Sequence, residues 1–248
     1  MPNINKANRQ VCDVDIRVLK TKAPYLFFED ANVTTVGFSS TDTYAMARGS
    51  RAIAFSNPIE DATMTIEAQV KPFKLLALIS DGTIETSAIL AKKSTITCDT
   101  EGTLTLPTGV QAGSVFVYAK GDYAGEAIEG TVAGTTFTAT TPADVVMGED
   151  YEVGYLVTVS SGVQKIAIND KKNPQDYFVT YNTVEKDEDG VITPYIITGY
   201  KCKPVKAATL SYSSTGDSAS LTITFNCLKD KDGNLLDMVE YTEPETEA

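Results

Sequence analysis

The sequence predicts a mainly β protein, a sandwich or barrel with one short α-helix at about residues 72–80, on three observations. Apolar side chains recur at every second residue in segments along the whole chain, the spacing that lets a strand bury one face and wet the other. Turn-forming clusters such as Asp187-Glu188-Asp189-Gly190 and Asp230-Lys231-Asp232-Gly233-Asn234 punctuate those segments. One stretch, Asp61 to Gly82, switches from a period of two to a spacing close to helical.

Residues 1–10 are polar and read as a flexible arm. In the first predicted strand Cys12, Val14, Ile16 and Val18 alternate with Asp13, Asp15 and Arg17. The two aspartates are expected on a solvated strand face, because no partner motif accompanies them as a catalytic carboxylate pair would require. Short strands follow at Tyr25–Phe28, at Val33–Phe38 and from Tyr44, with Gly49-Ser50-Arg51 as a mobile loop. Asn32-Val33-Thr34 has the form of a glycosylation sequon, read as a chance match in a chain with no secretory leader.

Met64, Ile66, Ala68 and Val70 then alternate with Thr65, Glu67 and Gln69 until Pro72 ends the strand. Phe73, Leu75, Leu76, Leu78 and Ile79 make an almost all-round apolar helix that Asp81-Gly82 stops. Strands resume at Ile84–Leu90 and Thr95–Cys98. Residues 101–161 are rich in Gly, Thr, Val and Ala, with strand-like runs at Leu104–Leu106, Val115–Tyr118, Thr135–Thr140 and Tyr151–Val159. This stretch has the form of a β-rich subdomain or inserted sandwich. With no linker composition on either side, it is kept within one elaborated domain spanning 1–248. Tyr177, Val179 and Tyr181 share one strand face, and Val191–Tyr200 returns from the acidic turn as a hairpin. Leu221, Ile223, Phe225 and Cys227 lead to a second such hairpin around Asp230–Asn234, and residues 242–248 form a flexible tail.

Composition excludes several functions. The chain has 33 acidic and 21 basic residues, net −12, the wrong sign for a surface that neutralises phosphates. It contains no histidine, which removes Ser-His-Asp and Cys-His catalysis and HExxH metal sites. Cys12, Cys98, Cys202 and Cys227 are widely spaced and read as buried or half-buried hydrophobes. The acidic turns lack calcium-loop spacing: counting from Asp230, Gly233 is fourth and Tyr241 twelfth. Hence no catalytic, cofactor-binding or metal-ligating residue is singled out, no cofactor is expected, and the chain is read as a non-enzyme. No apolar run approaches the roughly 20 residues that span a bilayer, so no membrane insertion is expected.

The Asp61–Gly82 strand and helix, the late strands of Tyr177–Ile197 and the closing hairpin of Ala207–Tyr241 together resemble bacteriophage tail tube proteins, the major tail tube protein among them. The resemblance implies a tail-tube-like fold with long inter-subunit loops, the segment around Gly49-Ser50-Arg51 bridging neighbours. It further implies a structural virion subunit assembling into stacked hexameric rings, a conduit for DNA ejection. The implied partners are further copies of the chain and other tail proteins, namely tape measure, tail terminator, baseplate and sheath. DNA would pass without specific binding, and the protein would reside in the virion tail after synthesis in the host cytoplasm. An acidic subunit suits a bore that must not hold phosphates. Residues 1–22, net +3, and 229–248, net −5, would favour head-to-tail stacking if they sat on opposite ring faces. The alternatives are another virion part, such as a decoration or baseplate component, or a β-sandwich binding or adhesion module.

Overall fold

The fold was established from a computed structural model, which describes residues 5–210, 214–215 and 218–241. Residues 1–4 of the expected arm and the whole 242–248 tail lie outside the described residues. The elements are β1 (Lys6–Ala7), β2 (Asp13–Val18), β3 (Pro24–Phe28), β4 (Val33–Ser39), β5 (Thr43–Ala47), β6 (Ser50–Phe55), β7 (Asp61–Ala68) and α1 (Phe73–Ala77). There follow β8 (Ala88–Thr97), β9 (Thr103–Thr105), β10 (Phe116–Ala119), β11 (Gly130–Ala133), β12 (Thr136–Ala139) and β13 (Asp150–Val159). The last four are β14 (Tyr177–Asp187), β15 (Ile192–Pro204), β16 (Leu221–Cys227) and β17 (Leu236–Glu240). The protein is thus mainly β with one short α-helix, as its periodicity predicts. It divides into two compact units, Met1–Thr83 with Ile168–Ala248, and Ile84–Ala167. Among the described residues no helix is long and apolar enough to cross a membrane.

The first unit is built on an antiparallel sheet of order β3-β2-β14-β15-β16-β7-β4, with β1 beside β14 and β17 beside β15. Period-two alternation places Val14 and Ile16, Met64 and Ile66, Tyr177, Val179 and Tyr181, and Leu221, Ile223 and Phe225 in one core. Strands β2 and β7 are four places apart in hydrogen-bonding order yet share that core, so the sheet curls over its own face. Its end strands β3 and β4 are not bonded to each other, and no closed barrel forms. Leu75 of α1 and Leu78, which caps it, pack into that core. Burying each of those leucines contributes about 1.5–3 kcal/mol.

The helix is shorter than its apolar run. Pro72 is the N-cap in an extended conformation, and beyond Ala77 the bonds from Leu78, Ile79 and Ser80 reach back only three residues. Gly82, at φ +74°, turns its N–H back to the Ala77 carbonyl and closes the helix end. A Cβ there would sit 2.5 Å from the Tyr177 hydroxyl, so both the turn and the packing require glycine. Val70, expected to extend the buried face of β7, lies beyond the strand end and is exposed.

Tyr25 of β3 fastens this end of the helix. Its hydroxyl lies 3.2 Å from the carbonyl oxygens of both Lys74 and Gly82, and its ring packs against Tyr177 with centroids 5.3 Å apart. Burial, reinforced by the nearby Asp81 carboxylate, pushes its pKa up to about 12. The native state therefore holds this proton to higher pH than the unfolded chain. The stability it contributes is whole below the ordinary tyrosine pKa of 10.0 and is lost as pH rises towards about 12. Comparing urea unfolding of the wild type and Tyr25→Phe at pH 9 and 11.5 should show roughly 1–2 kcal/mol more alkaline loss in the wild type. Equal losses would contradict this account.

The end of the chain departs from the predicted hairpin. Strands β16 and β17 do not pair with each other. Both lie along the same side of β15, with Leu236–Glu240 opposite Tyr195–Gly199 and Phe225–Cys227 opposite Cys202–Pro204, while β16 also pairs with β7. The thirteen-residue β15 is long enough to serve two shorter strands placed end to end.

The second unit is a small sandwich. Antiparallel sheets β10-β13-β8 and β11-β12-β9 enclose one core containing Leu104, Phe137, Val117, Tyr151, Val153 and Val157. It includes the Gly/Thr-rich stretch of 101–161 and extends to both unit boundaries. β8 runs unbroken through Lys92 and Lys93, where the sequence predicts two strands. Its entry and exit are tied by reciprocal 2.8 Å backbone bonds between Glu85 and Lys165 and by a 2.8 Å ion pair of the same residues. Residues 84–167 expressed alone should therefore give a cooperative thermal transition and dispersed amide NMR signals. A collapsed spectrum would show that its core is insufficient by itself.

Candidate self-association surface

Thr43–Phe55 forms a β-hairpin whose strands pair only with each other. Arg48 and Gly49, at φ +50° and +81°, make the two-residue turn whose twist matches the strands it joins. This turn replaces the mobile loop expected at Gly49-Ser50-Arg51. The register opposes Thr43 to Phe55 and Ala45 to Ile53, then shifts before Met46 meets Arg51. One face therefore carries Ala45, Ile53 and Phe55, and the other carries Tyr44, Met46 and Arg51, with the guanidinium 4.2 Å above the Tyr44 ring centre.

None of these side chains joins either core. Met46 is 61% exposed, Ile53 56% and Phe55 55%, and every residue of β6 is exposed. A two-stranded hairpin is marginal in water, since three strands or a packed face are needed for stability. Its base is tied down: the Asn57 amide donates to the Thr41 carbonyl, and Glu60 N–H donates to the Ser39 carbonyl at 3.0 Å. Beside this base Phe38, Ile59, Leu235, Leu236 and Met238 line an open groove of about 370 Å³. The hairpin and groove together present Met46, Ile53, Phe55, Phe38, Ile59 and Met238 as exposed apolar side chains.

Strand edges are open as well. Among the described residues β3 and β4 each pair on one side only, an edge that could extend a sheet with another chain.

Of the carboxylates weighed in the sequence as chemical sites, Asp15, Asp187 and Asp230 have local partners. Asp15 is ion-paired to Arg17 at 2.7 Å. Asp187 accepts the Val191 N–H at 2.8 Å, and Asp230 accepts those of Asp232 at 2.9 Å and Asn234 at 2.8 Å. Partial desolvation would raise the Asp230 carboxyl, but the N–H groups of Asn234 and Asp232 hold it below the usual carboxylate range. Asp187 and Asp230 thus shape their turns. Among the described residues no cluster of three or more Cys, Asp or Glu side chains is placed to hold a metal ion.

A protein-family model, the YomU/Tube protein family, matches residues 9–240. The chain belongs to this family. Its name suggests a phage tube protein, consistent with the β-rich fold and implying a place in the virion tail. No curated protein matches the chain.

In this tube-family chain one described residue from each charged end meets the other, while Glu243, Glu245 and Glu247 lie outside the described residues. Lys6 and Glu240 form a 2.7 Å ion pair within one subunit. The register explains it, because β1 extends beside β14 and β17 beside β15, bringing Lys6 and Glu240 to the same end of the sheet. What the sequence does not reveal is that Thr43–Phe55 lacks a cover among the described residues. Its alternation resembles that of a half-buried strand, and the Arg48-Gly49 pair is the only local sign of a free hairpin.

Proposed function

We propose that this protein is a non-catalytic subunit of a phage tail tube, closing into hexameric rings that stack into a negatively lined conduit for DNA ejection. The observation that carries the proposal is the exposed hairpin Thr43–Phe55, whose Ala45, Ile53 and Phe55 face has no cover among the described residues. A second copy is the occupant that fits. An identical subunit offers open edges at β3 and β4 and the apolar groove around Phe38 and Met238, and ring closure would remove all of these exposures at once. The net charge of −12 suits a passage that repels phosphate and lets DNA move without specific binding. Contacts to tape measure, tail terminator, baseplate and sheath would lie at the ends and outside of such a tube.

Sedimentation velocity over a concentration series with negative-stain microscopy tests this. Rings or striated tubes with a central hole, growing in proportion with concentration, are expected. A single monomeric species at every concentration would refute it, and a lumen lined by lysines would refute the negative bore.

A further inference from the structure

Among the long-range contacts, the sulfurs of Cys202 and Cys227 stand out. The two residues lie directly opposite each other on β15 and β16, with Sγ atoms 3.7 Å apart, and both are buried free thiols. The backbone bonds fix the kind of pair they form. Leu228 N–H donates to Lys201 C=O and Val205 N–H to Thr224 C=O, each at 2.7 Å. Lys201 with Leu228 and Val205 with Thr224 are thus the hydrogen-bonded pairs. By alternation Cys202 with Cys227 and Pro204 with Phe225 are the non-bonded ones. This also explains why β15 tolerates Pro204, whose position needs no donor.

A non-bonded antiparallel pair brings Cα atoms to about 4.5 Å with side chains at their closest, within the range of roughly 4.4–6.8 Å that a disulfide spans. Only about 1.7 Å separates the present sulfur distance from a bond. Gly199 makes room for the pair: a Cβ there would collide with Cys202 Sγ and lie 3.4 Å from Cys227 Sγ, so both sulfurs sit over the place a side chain would fill. Cys227 also lines an open groove of about 610 Å³ with Asp61, Asn226 and Lys229, which gives a small oxidant a path to one of the two sulfurs.

We infer that Cys202 and Cys227 are a modification site, a cross-strand thiol pair that oxidises to a disulfide joining β15 to β16. The oxidant is a low-molecular-weight disulfide. The Cys227 thiolate, having released its proton to water, attacks one sulfur of the oxidant and expels one small thiolate. Cys202 loses its proton and attacks Cys227 Sγ, forming the protein S–S bond and expelling the second thiolate. Two protein thiols are oxidised, one small disulfide is reduced to two thiols, and the released protons reprotonate them. The hydrogen bond between the cysteines, with burial, holds the Cys202 thiol well above its ordinary pKa, and the same bond lowers Cys227, which makes Cys227 the first to react. A reducing cytosol would keep the pair open during folding, and the virion exterior would close it; that timing, unlike the bond itself, rests on the tail-tube reading.

The test uses the full reduced chain incubated with oxidised glutathione, acid-quenched, then alkylated in denaturant. Expected are loss of the mass of two hydrogens, alkylation of two of the four cysteines, and a linked peptide pair containing Cys202 and Cys227. The thermal midpoint should rise by roughly 5 °C, because the bond closes a loop through the unfolded chain. Cys12→Ser/Cys98→Ser should behave identically, and Cys202→Ser should stop at a mixed disulfide on Cys227. Four alkylated cysteines after oxidation, or a link through Cys12 or Cys98, would overturn the inference. Both outcomes are readable on monomer or tube.

Discussion

Ile53→Glu/Phe55→Glu is expected to leave a folded subunit that no longer assembles. Both side chains lie on the uncovered face of the Thr43–Phe55 hairpin, more than half exposed and outside either core, so the single chain loses no packing when they change. In a ring the same two side chains would be buried against a neighbour. Their loss removes about 1.5–3 kcal/mol each per contact, roughly a hundred- to ten-thousand-fold weaker association before the cost of burying two carboxylates is added. Sedimentation velocity should show monomer at concentrations where the wild type is assembled, with an unchanged circular dichroism spectrum. Wild-type assembly by this variant would remove the hairpin from the interface.

The second large effect concerns folding. Phe225 of β16 is fully buried between β15 and β7, in the core shared by strands from both ends of the sheet. Phe225→Ala should destabilise the first unit by about 3–5 kcal/mol, because the aromatic ring is removed and the curled sheet cannot collapse onto the space. That is a large share of a domain's stability. The second unit has its own core and should keep its transition, so urea unfolding followed by circular dichroism should become biphasic. A single transition shifted as a whole would mean that the two units unfold as one.

The two tests separate assembly from stability, a distinction the chain itself makes. Apolar residues that build the first unit fall at alternate positions with one face buried, as in β7 and β16. Apolar residues in β5 and β6 follow the same spacing with nothing over them. On the proposed assembly, the net charge of −12 would oppose indiscriminate association, and the edges of β3 and β4 would give the contact a direction.

What the sequence by itself determined is local. Alternation located β2, β7, β14 and β16 and named their buried faces, Val14 with Ile16, Met64 with Ile66, Tyr177 with Tyr181, and Leu221 with Phe225. Period change and Gly82 placed the helix, and the acidic Gly-containing turns appeared where Asp187 and Asp230 now cap their own backbone. These follow from steric and hydrogen-bonding preferences that act within a few residues. The tertiary structure alone decided which strand pairs with which. It placed β16 and β17 end to end along β15 where a hairpin was expected, set Lys6 against Glu240, opposed Cys202 to Cys227, and left Thr43–Phe55 bare. A period of two records that a strand has two unlike faces; which chain segment covers the apolar one depends on contacts between residues far apart in sequence, and those contacts leave no mark on either segment's own pattern.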